Sequence, residues 1–228
     1  MTFLELIVVL GIFGAISATV LFNYSDFSTN VHLQNLAQDV ALQIKKAQTD
    51  AVSGKTPTLS DAQNQNIGAL VPSDWKPSYG IAFTTTQNLE RYFFYFFNHG
   101  YASDPDTYED FDDLAAGSYS IGDCGAGSDS ECLDEISITS GDFISLICFG
   151  YSEADFNSNF DSIGNDCSAV NGEMADTAHI SFTRPRANAL IFPIDDGDGR
   201  ENVFIRITSQ KGGHKYISVW QSGYINVR

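Results

Sequence analysis

Three groups of residues in this chain have types and spacings that could do chemistry. The first is four cysteines, Cys124, Cys132, Cys148 and Cys167, gathered in one stretch of the sequence. An even number admits two disulfides in three connectivities, of which sequential pairing is the simplest. Cys124 with Cys132 would close a glycine-rich loop, and Cys148 with Cys167 would clip an acidic loop to a strand. Zinc is a rival use, but no Cys-x-x-Cys pair occurs and no histidine stands at ligand spacing. Buried free thiols are the remaining alternative. Disulfides would imply an oxidising, extracytoplasmic setting.

The second group is Asp195, Asp196 and Asp198 in Ile194-Asp-Asp-Gly-Asp-Gly-Arg-Glu201. Closely spaced carboxylates among glycines are what calcium loops use. Arg200 stands where an oxygen ligand is wanted, and no bidentate glutamate follows, so a solvated hairpin turn is the stronger expectation and calcium the weaker. The acidic run Asp104 to Asp113 reads as solvated surface. No other cofactor is expected. His32, His99, His179 and His214 are scattered, and neither a Gly-x-Ser-x-Gly elbow nor a phosphate loop occurs. An enzyme is therefore not expected.

The third is a lone acid, Glu5, in Met1-Thr-Phe-Leu-Glu-Leu-Ile-Val-Val-Leu-Gly-Ile-Phe-Gly-Ala-Ile-Ser-Ala-Thr-Val-Leu-Phe22. The apolar run from Leu6 to Phe22 approaches the length that spans a bilayer core. A cleavable secretory signal would need a basic start, and the first Lys or Arg is Lys45. A carboxylate in apolar surroundings must be paired. The nearest cation is the α-amino group of Met1, and a neighbouring copy presents it better than the same helix does. Self-assembly follows.

These residues resemble the mature amino terminus of type IV pilins and type II secretion pseudopilins, a likeness covering about the first 25 positions. The resemblance implies a chain cleaved and N-methylated at Met1 by a prepilin peptidase, stored in the bacterial inner membrane, and polymerised by the inner-membrane assembly machinery into an extracellular filament. Met1 and Glu5 would make the assembly contact, and Phe3, Leu6, Val9, Leu10, Phe13 and Gly14 would line the filament core. Two departures stand out: methionine replaces the usual phenylalanine at position 1, and the proline common near position 22 is missing. Gly11, Gly14 and the poor helix formers Ser17, Thr19 and Val20 suggest loosening between Gly14 and Asn23.

The elements that position these groups follow from periodicity. Val31, Leu33, Leu36, Ala37, Val40, Ile44, Ala47 and Ala51 recur at helical spacing, and Gly54 followed by Pro57 marks a stop. Beyond Pro57, β-branched and aromatic runs bounded by turn residues predict strands at 79–85, 89–97, 136–139, 143–149, 179–182, 189–192, 203–207, 215–220 and 224–227. The fold expected is α+β: a long amino-terminal helix whose second half packs on an antiparallel β-sheet head, as in type IV pilins. Its parts would be a membrane and filament-core segment (1–25), an amphipathic helix on the head (26–54), and a β-rich head with two disulfides (55–228). The carboxyl-terminal hairpin around Ser222-Gly223 resembles those of H-type pseudopilins.

Composition bounds the function. Lys and Arg number 12 against 29 Asp and Glu, a formal charge of −17, so nucleic acid is not a direct partner. With 43% hydrophobic and 18% charged residues the chain is too apolar for disorder. The function expected is the major pilin of a type IV pilus, serving surface attachment and twitching motility, with the chain itself as partner. The alternatives are a pseudopilin or minor pilin of a secretion or competence system, and a monomeric membrane-anchored binding domain.

Overall fold

The computed structural model describes residues 2–56, 78–98, 124, 132–150, 167, 172–183, 187–193 and 199–228, leaving aside the side chains of 20–23, 25, 26 and 98. Helix α1 runs Phe3–Ser53. Thr2 caps its start with extended backbone, and Gly54 ends it in the left-handed region (φ 67°, ψ 35°), its N–H donating to the carbonyl of Ala51. Glycine suits that stop because a Cβ there is strained. The backbone is helical through residues 20–26, where loosening was expected from the poor helix formers.

Leu33, Ala37, Val40, Ile44, Ala47 and Ala51 are fully or almost fully buried. Their alternating spacing of four and three keeps them on one face. The three larger side chains each contribute about 1.5–3 kcal/mol by leaving water, and the alanines let strands approach the helix closely.

Ten strands follow among the described residues: β1 (Ser78–Thr84), β2 (Tyr92–Asn98), β3 (Cys132–Ser137), β4 (Phe143–Gly150), β5 (Glu173–Ala175), β6 (Thr177–Phe182), β7 (Ala189–Phe192), β8 (Asn202–Thr208), β9 (His214–Trp220) and β10 (Ile225–Val227). They form two five-stranded antiparallel sheets, ordered β3-β2-β1-β6-β7 and β10-β9-β8-β4-β5. This corrects the expected fold class: the body is mostly β and built from two sheets, not a long helix lying on one. The reason is visible in burial. Ile81 and Phe83 of β1, Phe93 of β2, Ile180 of β6, Ile205 and Ile207 of β8 and Val219 of β9 meet the helix stripe in a single core. One helix face is too narrow to cover ten strands. The two sheets therefore divide the inner surface, and α1 reaches β1 and β6 of one sheet and β8, β9 and β10 of the other.

Each sheet also buries part of its other face. Phe94 and Phe96 pack with Ala82, Leu89 and Cys132, while Leu146, Phe204, Tyr216 and Trp220 pack with Cys148 and Cys167. Strand β2 is thus buried on both faces. At Gly80, opposite Phe96 on β2, an added Cβ would lie 2.3 Å from the Phe96 ring and 2.6 Å from the carbonyl oxygen of Ile180. The missing side chain lets the ring lie against the strand.

Polar contacts lock the helix to the body. The buried Gln48 Nε2 donates to the carbonyls of Ala187 (2.7 Å) and Gly223 (3.3 Å), and Lys45 donates to Gln48 Oε1. Tyr95 Oη donates to Asp50 Oδ2 at 2.7 Å, and Tyr79 Oη donates to the carbonyl of Lys55 at 2.7 Å.

Candidate assembly surface

The amino-terminal half of α1 presents its apolar side chains outward. Phe3 is 79% exposed and Phe13 68%, and Leu4, Leu6, Ile7, Val8, Val9, Leu10, Ile12 and Ile16 are exposed as well. Among the described residues, buried helix positions begin at Leu33. An added Cβ at Gly11 or Gly14 would meet nothing within 4 Å, so both leave open backbone on the helix surface. Side chains of this size become stable only when something apolar covers them. Among the described residues no helix is long and apolar enough to cross a membrane. The segment expected to span continues into residues 20–23, whose side chains are not described.

Glu5 is exposed on this segment and takes part in a capping box. Its Oε2 accepts from the backbone N–H of Thr2 at 2.7 Å, and the Thr2 hydroxyl accepts from the backbone N–H of Glu5 at 3.4 Å. The pair satisfies two of the amides that a helix start leaves unbonded. A carboxylate has about four acceptor positions, so this bond does not saturate it. The negative charge also complements the positive end of the helix dipole. Met1, the expected partner position, lies outside the described residues. The pattern Thr2-x-x-Glu5 was open to inspection as a capping box, and reading Glu5 only as an acid in search of a cation missed it.

The cysteines join in sequence order, Cys124 to Cys132 (Cα–Cα 5.0 Å) and Cys148 to Cys167 (Cα–Cα 5.6 Å). One anchors residue 124 to the start of β3, and the other holds residue 167 against β4. Asp195, Asp196 and Asp198 fall outside the described residues. The neighbouring Arg200 is buried, with Nη2 paired to Glu173 Oε2 at 2.9 Å. Among the described residues no group of three His, Cys, Asp or Glu side chains is placed to hold a metal ion. His32 and His214 are exposed, His179 is buried, and His99 is outside the description.

Among the described residues a titratable cluster sits at the carboxyl end of α1. Lys55 Nζ lies 2.9 Å from Asp50 Oδ2, Lys46 Nζ stands 4.5 Å from the centre of the Tyr95 ring, and the rings of Tyr79 and Tyr95 stack at 6.0 Å. Burial pushes the Asp50 carboxyl up, but hydrogen bonds from Tyr95 and Lys55, together with the charges of Lys55 and Lys46, outweigh it and hold the group below the usual carboxylate range. Burial, then the hydrogen bond and charge of Asp50, hold the Tyr95 phenol far above its ordinary value. Burial and Asp50 do the same to Tyr79. These groups close the helix end on β1 and β2 as structural partners.

Outward-facing Tyr24 and Phe27 were missed in the sequence because they sit among Asn23, Ser25, Asp26, Ser28 and Asn30, and Leu42 because it falls off the buried stripe. Helical periodicity applied to the face away from the core would have found them.

No family model matches the chain, and neither a curated protein nor a solved structure matches it. The likeness to pilins therefore rests on the amino-terminal residues and, more weakly, on the carboxyl-terminal hairpin.

Proposed function

We propose that the chain is the major structural subunit of a bacterial type IV pilus filament, processed at Met1 by a prepilin peptidase and held in the inner membrane until assembly. In this reading its role is surface attachment and motility, and it is not an enzyme. The observation that carries it is the exposure of Phe3 through Ile16 on a helix whose other half is anchored in the body. Burying several of these side chains between copies, at about 1.5–3 kcal/mol each, supplies cohesion. Glu5, accepting the amine of a neighbour's Met1, supplies axial register, because an ion pair in apolar surroundings tolerates little sliding.

The capping box makes the test sharp. Glu5→Gln keeps an N-cap partner while removing the charge, whereas Glu5→Ala removes both. Expression in a pilus-assembling host with electron microscopy should show fibres from the unchanged chain and loss of them in both variants. Fibres from Glu5→Gln at the parental level would reduce Glu5 to a helix cap. A minor pilin or pseudopilin role is supported by the hairpin of β9 and β10, which resembles those of H-type pseudopilins. It predicts short tip complexes in place of long fibres made of this chain.

A further inference from the structure

Along one flank of α1, between Ser28 and Gln43, a groove separates the helix from the body. Its helix wall carries His32, Leu36, Asp39 and Gln43, whose spacing of four, three and four keeps them in one row. Two cavities make up the groove, of about 430 and 290 Å³, and His32 and Ser140 line both, so they are continuous. The larger has an apolar floor of Leu36, Val40, Phe93 and Ile138. The smaller is polar, and two turns of the body close it against Ser28 and Thr29 of α1.

Both turns are set by glycines. Gly141 takes φ 83°, and an added Cβ there would lie 3.1 Å from Gln210 Nε2, so the turn from Ser140 to Asp142 lies against the turn joining β8 to β9. An added Cβ at Gly213 would lie 3.1 Å from Leu33 Cδ1, which brings that second turn up to the helix. Asp142 is left 5% exposed on the cavity wall. Its Oδ2 accepts from the Ser140 hydroxyl at 2.6 Å, and among the described residues its carboxylate makes no ion pair. The groups facing the same cavity that can carry positive charge are His32 and Lys211, and neither pairs with it. A carboxylate taken out of water is stabilised by a cation and by hydrogen bonds to its lone pairs, and one hydroxyl leaves most of that capacity unused.

We propose that the groove binds a linear aliphatic polyamine, with one ammonium on Asp142, a second on Asp39, and the methylenes between them over the apolar floor. The order of chemistry along the groove selects this ligand: carboxylate, apolar stretch, carboxylate. The Asp142 cavity lies beside Ser28 to His32 of α1, and Asp39 stands roughly 13 Å further along the axis, a distance that an extended polyamine spans. Each ammonium has about three N–H donors to place, and Ser28, Ser140, Asn35 and Gln43 offer acceptors on the walls. A divalent metal ion fits less well. It wants about six oxygen ligands, no three acidic or histidine side chains are gathered for one among the described residues, and it would leave the apolar floor without a partner.

The groove stands apart from the exposed segment Phe3 to Ile16, so its test is independent of fibre formation. Calorimetric titration of the full chain in non-ionic detergent with spermidine, at about 0.15 M salt so that distant charges are screened, should show saturable binding at one site. Asp142→Asn should weaken it at least tenfold, and Asp39→Asn by a smaller factor. Glu201→Gln removes the same charge at the far end of β8 and should leave the affinity within about twofold. Asn35→Arg places a cation on the groove wall at an exposed position, where folding is not at stake, and should abolish binding. Spermidine should also raise the unfolding midpoint of the parent and not that of Asp142→Asn. Butylamine, with a single ammonium, should bind far more weakly than spermidine, and magnesium should not displace it. Equal weakening by Glu201→Gln and Asp142→Asn, butylamine binding as tightly as spermidine, or displacement by magnesium would overturn the proposal. So would a parent that does not bind, or one that binds only after Lys211→Gln, which would make Lys211 the counter-ion of Asp142.

Discussion

His179 gives the body a built-in sensitivity to mild acid. It sits on β6 between Ala82 of β1 and Phe192 of β7, fully buried, with its ring edge-on to Phe96 at 6.2 Å. Burial opposes the charged imidazolium and pushes the group down from 6.5 to about 3. The unfolded chain therefore binds a proton as pH falls through 6.5, while the folded chain does not until about 3. Stability is fully present above 6.5 and is lost as pH falls through that window, at up to about 1.4 kcal/mol per pH unit. Between pH 7 and pH 5 the loss amounts to about 2 kcal/mol. Urea unfolding of the full chain in detergent, followed by tryptophan fluorescence at pH 7, 6 and 5, measures it. His179→Gln cannot take up the proton, so whatever it costs at pH 7, its stability should change about 2 kcal/mol less over the same range. An equal pH dependence in the variant, or a parent whose stability is flat from pH 7 to pH 5, would refute the reasoning.

Two further perturbations probe the joints of the body. Gly223→Ala places a Cβ where φ is 81°, 2.3 Å from the carbonyl oxygen of Ala187 and from Gln48 Nε2. Backbone strain and the displaced buried amide should together cost roughly 2–5 kcal/mol in chemical denaturation, and less in a Gln48→Ala background. Replacing Cys148 and Cys167 by serine frees a loop whose ends are 19 residues apart and should cost about 3 kcal/mol, read as a lower denaturation midpoint than that of the oxidised parent.

Much of the local structure was legible because single residues dictate it. Leu33 to Ala51 declare a helix face by spacing, Gly54 stops the helix, and nine of the strands announce themselves through runs such as Phe143–Phe149. The partition into two sheets was not legible. Strands such as β2, with Phe93 and Tyr95 on one side and Phe94 and Phe96 on the other, lack the alternation that tells which face meets the helix. Strand β3 begins at Cys132 rather than Ile136 because the disulfide and the pairing with β2 extend it through Asp134 and Glu135, which have poor strand propensity. Strand β5 is three residues long and exists through its register with Ile147, Cys148 and Phe149. Leu89 lies in the turn before β2, where Asn88 takes φ 74°, and buries itself against Phe94 and Phe96. At the amino terminus the apolar run and the lone acid were plain, while the Thr2-x-x-Glu5 cap and the outward-facing Tyr24, Phe27 and Leu42 were also present in the spacing but were masked by the charge of Glu5 and by the polar residues around Tyr24 and Phe27.

The assembly claim comes down to one distance. A fibre reconstruction from this chain should place a carboxylate oxygen of Glu5 within about 4 Å of the Met1 nitrogen of an adjacent copy, enclosed by apolar side chains. A carboxylate turned only to its own Thr2, or standing in solvent with no neighbour's amine in reach, would contradict the account.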